Sequence, residues 1–149
     1  GAELNVATGL ARLGLKVGWV SRVGNDSFGR FVLNSLKKEG IALIPLVGPN
    51  TSEERMALYD SVGEGYVYVV SVMGITGERT DIAPQVTETM RRARSVFKLP
   101  LALGFGLREP SQLEALSPDS QPDAVVFGSA LLKHIDVGNS AAEFLARWK

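Results

Sequence analysis

Apolar and polar positions along these 149 residues switch repeatedly between a helical period and short β-rich runs. Small and apolar residues at helical spacing predict a helix over Leu4–Leu13, stopped by Gly14. Lys16–Ser21 reads as a strand. Asp26 and Ser27 offer an N-cap for a helix through Lys38, closed by Gly40. Leu43–Val47 is a second strand, and Thr51-x-x-Glu54 is a capping-box pattern opening the next helix. Tyr66–Val70 is an unbroken apolar run of the kind expected in a strand buried on both faces. Gly74–Ala83 reads as a loop, and Pro84 suits the first turn of a helix reaching about Val96. Leu101–Leu103 and Ala124–Phe127 are the fourth and fifth strands, with a short helix opened by Pro110 between them. Ser140 caps a last helix, Ala141–Trp148.

Strands regularly separated by helices imply right-handed crossovers and a parallel sheet covered on both faces. The pattern leaves strand order open: the first strand could join either edge or insert. The length suits one domain of ordinary size, long enough to bury a core.

Composition excludes several classes. Sixteen basic and sixteen acidic residues, scattered without blocks, give no net charge and argue against a nucleic-acid partner. No cysteine is present, so neither a disulfide framework nor a thiolate metal site is possible. His134 is the sole histidine and cannot form a histidine cluster; no metal site and no cofactor is expected. No apolar run approaches a membrane span, and no signal peptide is visible. A soluble, cytoplasmic domain is expected, with no membrane partner. The chain starts on glycine, which suggests ends that were cut or designed.

Glycine-containing turns follow three successive predicted parallel strands. Loops at the carboxyl ends of parallel strands share one side of the sheet. Glycine lets backbone N–H groups approach an anion with no Cβ in the way. Gly128-Ser129 stands at a helix start, where free N–H groups and the helix dipole favour negative charge. A single such turn is more often structural than functional; three in consecutive loops point toward an anion.

Two resemblances refine this picture. Gly1-Ala2-Glu3-Leu4-Asn5-Val6-Ala7, Gly14 and Arg22-Val23-Gly24-Asn25-Asp26-Ser27-Phe28-Gly29 resemble the amino-terminal signature of ribokinase-like carbohydrate kinases. That resemblance would place Asn5 near a sugar, but a residue bonding backbone groups at a helix start explains it more simply. The kinase family's Gly-x-Gly-Asp turn is absent. From Ala42 onward, Leu43–Thr51, Gly65–Gly77, Leu101–Leu107 and Ala124–Leu131 resemble the fifth to eighth strands and loops of the tryptophan synthase α subunit, a βα barrel. By that resemblance Gly77, Gly106, Gly128 and Ser129 would surround a phosphate, with Tyr68, Thr76 and Phe105 near the rest of the ligand. It also places that family's two essential carboxylates upstream of the matched stretch.

The expectation is therefore a chimera with a seam near residue 41: residues 1–41 kinase-derived, helix-strand-helix, and residues 42–149 a half barrel of four βα units. Its fold class is α/β, a single five-stranded parallel sheet with helices on both faces, an open Rossmann- or flavodoxin-like sandwich built on a half βα barrel. The expected function is an engineered or selected domain with no native catalytic activity, no catalytic residue and a residual, weak phosphate site. The alternatives are a minimal lyase acting on indole-3-glycerol phosphate and a purely structural scaffold. Glu53, Glu54, Glu88, Glu109, Glu114 and Glu143 read as solvated helix faces or helix starts, and Glu78 and Asp81 as surface-loop residues. Open sheet edges make a homodimer plausible.

Overall fold

The computed structural model describes residues 2–21, 23–70, 84–104 and 106–148. The expected loop at 74–83, with Thr76, Gly77, Glu78 and Asp81, lies outside the described residues, as does Phe105. The elements run α1 (Ala2–Arg12), β1 (Gly18–Ser21), α2 (Ser27–Lys38), β2 (Ala42–Val47), α3 (Glu53–Val62), β3 (Val67–Val70), α4 (Pro84–Val96), β4 (Leu101–Gly104), α5 (Ser111–Glu114), a 3-10 turn at Pro118–Ser120, β5 (Ala124–Val126), α6 (Ser129–Asp136) and α7 (Ala141–Ala146).

The five strands form one parallel sheet in the order β1-β2-β3-β4-β5. The expected five-stranded α/β fold is present. Each crossover steps one strand in the same direction, the progression of a βα barrel, so the sheet is an arc of one.

Strand alternation sorts side chains onto two faces. Val47, Val67, Val69, Leu101 and Leu103 point toward α3 and α4 and pack with Met56, Val86, Met90 and Ala93. Trp19 and Leu43 point the same way, into a second cluster built by Ala7 of α1 and Val32 and Leu36 of α2. Burying each such aliphatic side chain is worth about 1.5–3 kcal/mol. The opposite face carries a row set by register, Leu46–Tyr68–Ala102–Ala124. In β3 only Val67 and Val69 are fully buried, while Tyr68 and Val70 are half-buried. One face of that strand therefore meets the helices and the other looks into the concave side.

Polar contacts set the joints. Asp26 caps α2 by accepting from the Gly29 N–H at 2.7 Å. A Cβ on Gly29 would collide with the Gly24 carbonyl oxygen and lie 2.9 Å from its carbon. The Gly24–Gly29 motif thus has a local steric purpose, closing a tight entry into α2. Ser52, not Thr51, caps α3, accepting from Arg55 N–H. Thr51 Oγ1 instead accepts from the Gly48 N–H at 3.0 Å. Arg92 of α4 donates to the carbonyls of Pro49 and Thr51, tying that loop down. Asp123 accepts from Arg94 and from the Leu101 N–H, each at 2.7 Å, which joins α4, β4 and the entry to β5. Arg94 first, then the Leu101 amide, hold the Asp123 carboxyl below the usual carboxylate range. Ser140 and Glu143 form a full capping box on α7, which ends at Ala146, short of the expected Trp148.

Candidate functional site

Tyr68, Gly106, Gly128 and Ser129 line one cavity of about 610 Å³ at the carboxyl ends of β3, β4 and β5. Each arrives by a different route. Tyr68 projects from the concave face of β3. Its ring lies over Gly104 of β4: a Cβ there would collide with the phenol oxygen and lie 3.0 Å from Cε1. Only glycine at that strand position leaves room for the tyrosine. Burial, and secondarily Tyr66, pushes the Tyr68 phenol above its ordinary value, so it stays protonated through the neutral range.

Gly106 follows β4 with φ 81°, in the left-handed region. The loop beyond it is pinned by buried Gln112, whose Oε1 accepts from the Arg108 and Glu109 N–H groups at 2.6 and 3.0 Å. Gly128 is the N-cap position of α6 and brings no capping side chain. The first intrahelical bond runs from Leu132 N–H to the Gly128 carbonyl at 3.1 Å. The amides of Ser129, Ala130 and Leu131 precede it and point out of the helix end. Open space surrounds the position of a Gly128 Cβ.

The cavity wall is electropositive. Arg108, Lys133 and Arg147 line it against a single carboxylate, Glu109, and Glu109 is ion-paired to Arg147. That pair joins the loop after β4 to the end of α7. The floor is aromatic: Phe127 meets Phe144 edge-on at 5.1 Å and Trp148 at 4.3 Å. His134 stacks edge-on against Phe144 at 5.4 Å. Its Nε2 is buried without a hydrogen-bond partner, so this histidine is built into the wall rather than lying on the surface.

Four of the seven expected site residues therefore share this cavity, and Gly77, Thr76 and Phe105 fall outside the described residues. Arg108, Lys133, His134, Arg147 and Gln112 were not legible as site residues. Scattered charges carry no periodic signal, and only the crossing of α6 and α7 over the sheet end brings them together. Of the other acidic residues singled out in the sequence, Glu88 pairs with Arg91 and Glu143 caps α7. Asn5 lies exposed on α1. Among the described residues no carboxylate and histidine group could hold a metal, and no helix is long and apolar enough to cross a membrane.

The profile of the family "Tryptophan synthase alpha chain" matches residues 29–148. The tryptophan synthase alpha chain of Desulfovibrio desulfuricans is 79% identical over 115 residues, which are 77% of this chain and 45% of that protein. The alpha chain of Nitratidesulfovibrio vulgaris is 56% identical over 113 residues, 76% of this chain and 43% of that one. Among solved structures, the tryptophan synthase A-subunit of Pyrococcus furiosus superposes with a TM-score of 0.72 at 31% identity, covering 96% of this chain and 57% of that chain. The chain spans a little under half the length of the curated relatives it matches.

These matches correct the reading of a chimera. The profile enters at residue 29, within α2 and ahead of the seam expected near residue 41, and the structural match spans 96% of the chain. The carbohydrate-kinase assignment of residues 1–41 is overturned, and with it an engineered, recombined or de novo origin. The expectation of a domain outside enzyme function is overturned too, because the matched proteins are chains of a synthase.

Proposed function

The chain belongs to the tryptophan synthase alpha chain family, and from that premise we propose that it acts in the cleavage of indole-3-glycerol phosphate, with the cavity beside α6 taking the phosphate end. The reaction breaks the bond between indole C3 and the glycerol chain. The indole carbon gains a proton, the adjoining hydroxyl loses one, and the products are indole and a three-carbon aldehyde phosphate. Such a step needs proton donors and acceptors held in place around the breaking bond.

One observation carries the reading: Tyr68, Gly106 and the uncapped start of α6 meet in one cavity with a cationic wall. The α6 amides and Ser129 hydroxyl hold phosphate oxygens, aided by the helix dipole. Gly106 keeps the facing loop free of a Cβ, and Lys133 and Arg108 add positive potential. The remainder of the ligand extends from the phosphate toward Tyr68. The protonated phenol donates a hydrogen bond to the substrate's oxygen and orients it. A weakly bound inorganic phosphate or glycerol phosphate would occupy the same amides.

The test is indole release from indole-3-glycerol phosphate, followed at high chain concentration, alongside calorimetric titration with glycerol 3-phosphate. Indole formation inhibited competitively by glycerol 3-phosphate is expected. A chain that releases no indole and gives no binding heat above buffer would remove the proposal.

A further inference from the structure

We infer that Gln112 is a positioning residue for the phosphate end of the ligand: it fixes the loop after β4 and so holds Gly106 in the cavity wall that faces the start of α6. The inference rests on the phosphate reading of this cavity and adds to it a residue that touches no ligand.

The stretch from Gly106 to Asp123 carries the chain from β4 to β5 with little regular structure to stiffen it. α5 is four residues long, and a helix that short has no stability of its own. Pro110 occupies its N-cap position and offers no capping side chain. Gln112 supplies the missing acceptor from inside the turn. Its Oε1 reaches back to accept from the Arg108 and Glu109 N–H groups, while its own amide donates to the Glu109 carbonyl at 3.1 Å. Residues 108–112 are thereby closed on themselves in both directions. Leu107, buried in the core, anchors the near end of the loop. At the far end Gln121 Nε2 donates to the carbonyls of Leu113 and Leu116 at 2.9 and 3.0 Å, and Arg94 of α4 donates to the Gln121 carbonyl at 2.8 Å.

Gln112 is 6% exposed. Burying a carboxamide costs free energy that its hydrogen bonds must offset, and an apolar side chain of similar length would fill the space without that cost. What the carboxamide adds is a fixed backbone at residues 108 and 109. Upstream, this steadies Gly106, whose φ of 81° lies where glycine is least constrained by its own geometry. Downstream, it sets the base of Glu109, whose carboxylate pairs with Arg147 at the end of α7. Gly106, Arg108 and Glu109 line the cavity and Gln112 does not, so Gln112 acts only through them. An oxyanion held by backbone amides depends on their aim, because a hydrogen bond weakens steeply as its angle closes below the linear range. A loop released from Gln112 would have to be ordered by the ligand on binding, which lowers affinity.

Amide hydrogen exchange and calorimetric titration with glycerol 3-phosphate, run on the same variants, test this. Gln112→Met keeps the length and removes the acceptor. The Arg108 and Glu109 amides should then exchange about tenfold faster or more while those of β3 do not, and the Kd should rise about tenfold. Gln112→Asn, whose acceptor stops one methylene short, should behave in the same way and serves if the methionine variant does not fold. Gln112→Glu returns an acceptor and should recover protection at both amides, with a Kd nearer the wild-type value than that of Gln112→Met. Val86→Ala, in the core on α4, lowers stability without touching the loop and should leave the Kd within about twofold. A wild-type Kd in Gln112→Met or Gln112→Asn, or a Kd raised as far by Val86→Ala, would overturn the inference and leave the phosphate site standing. A wild-type chain that gives no binding heat would remove the phosphate reading and this inference with it.

Discussion

Gly128→Asp separates helix stability from anion binding, because the two move in opposite directions. Gly128 sits at the N-cap of α6 with open space where a Cβ would go, so the substitution is sterically free. An aspartate there accepts from the amides of the first turn, and its charge complements the helix dipole. Relative to glycine this stabilises the helix by a few tenths to about 1 kcal/mol. Those are the same amides that the proposed phosphate requires. The ligand then loses one or two charge-assisted hydrogen bonds, about 1.5–3 kcal/mol each. It also meets a carboxylate at close range, although Arg108, Lys133 and solvent screen part of that repulsion. A net loss of about 2–4 kcal/mol corresponds to binding weakened by about 30- to 1,000-fold. Isothermal titration calorimetry with glycerol 3-phosphate gives the affinity, and thermal denaturation without ligand gives the stability. A variant with a raised melting temperature and wild-type affinity would refute the placement of the phosphate on α6.

Gly29→Ala should cost about 3 kcal/mol or more in urea unfolding, because its Cβ meets Gly24 backbone, which has no rotamer to yield. Phe144→Ala removes a 2% exposed ring packed against Phe127, His134 and Trp148. A loss of about 3–5 kcal/mol is expected, with a red-shifted Trp148 emission as the wall opens. Asp123→Asn should lower stability at neutral pH. The Asp123 carboxyl is depressed in the fold, so its contribution is present above the unfolded value near 3.9 and is lost as pH falls through the folded one. Stability of the variant and wild type, measured from pH 7 downward, should therefore stay apart down to about pH 4 and converge only as the pH falls through the lower, folded value.

The elements were legible where one physical signal dominates. Asp26 at the start of α2 and Pro84 at the start of α4 appear where cap and ring chemistry place them. The α3 cap missed by one residue because Thr51 and Ser52 are both competent. The choice falls to Ser52 once Thr51 is engaged with the Gly48 N–H and its carbonyl with Arg92. The 3-10 turn at Pro118–Ser120 has no periodic signature; it packs beside α4, with Ser120 buried. Strand order was closed to sequence reasoning, since every right-handed crossover reads alike until the direction of each step is seen.

The same asymmetry explains the misassigned seam. A short motif such as Gly24-Asn25-Asp26-Ser27-Phe28-Gly29 records what a tight turn into a helix requires: a capping aspartate and a glycine with no Cβ beneath a carbonyl. Any βα fold that needs this entry meets the same demand, so the motif is a weak witness to ancestry. Residues 29–148 constrain one another across four parallel strands and their covering helices, and that long-range consistency is what the family profile registers. The cavity sits at the intermediate scale. Its glycines were visible as local loop chemistry, whereas Gly104 beneath Tyr68, Gln112 beneath the β4 loop, and Arg147 against Glu109 depend on elements far apart in sequence. A residue that gives room to another, or holds another still, shows itself only when both are in place.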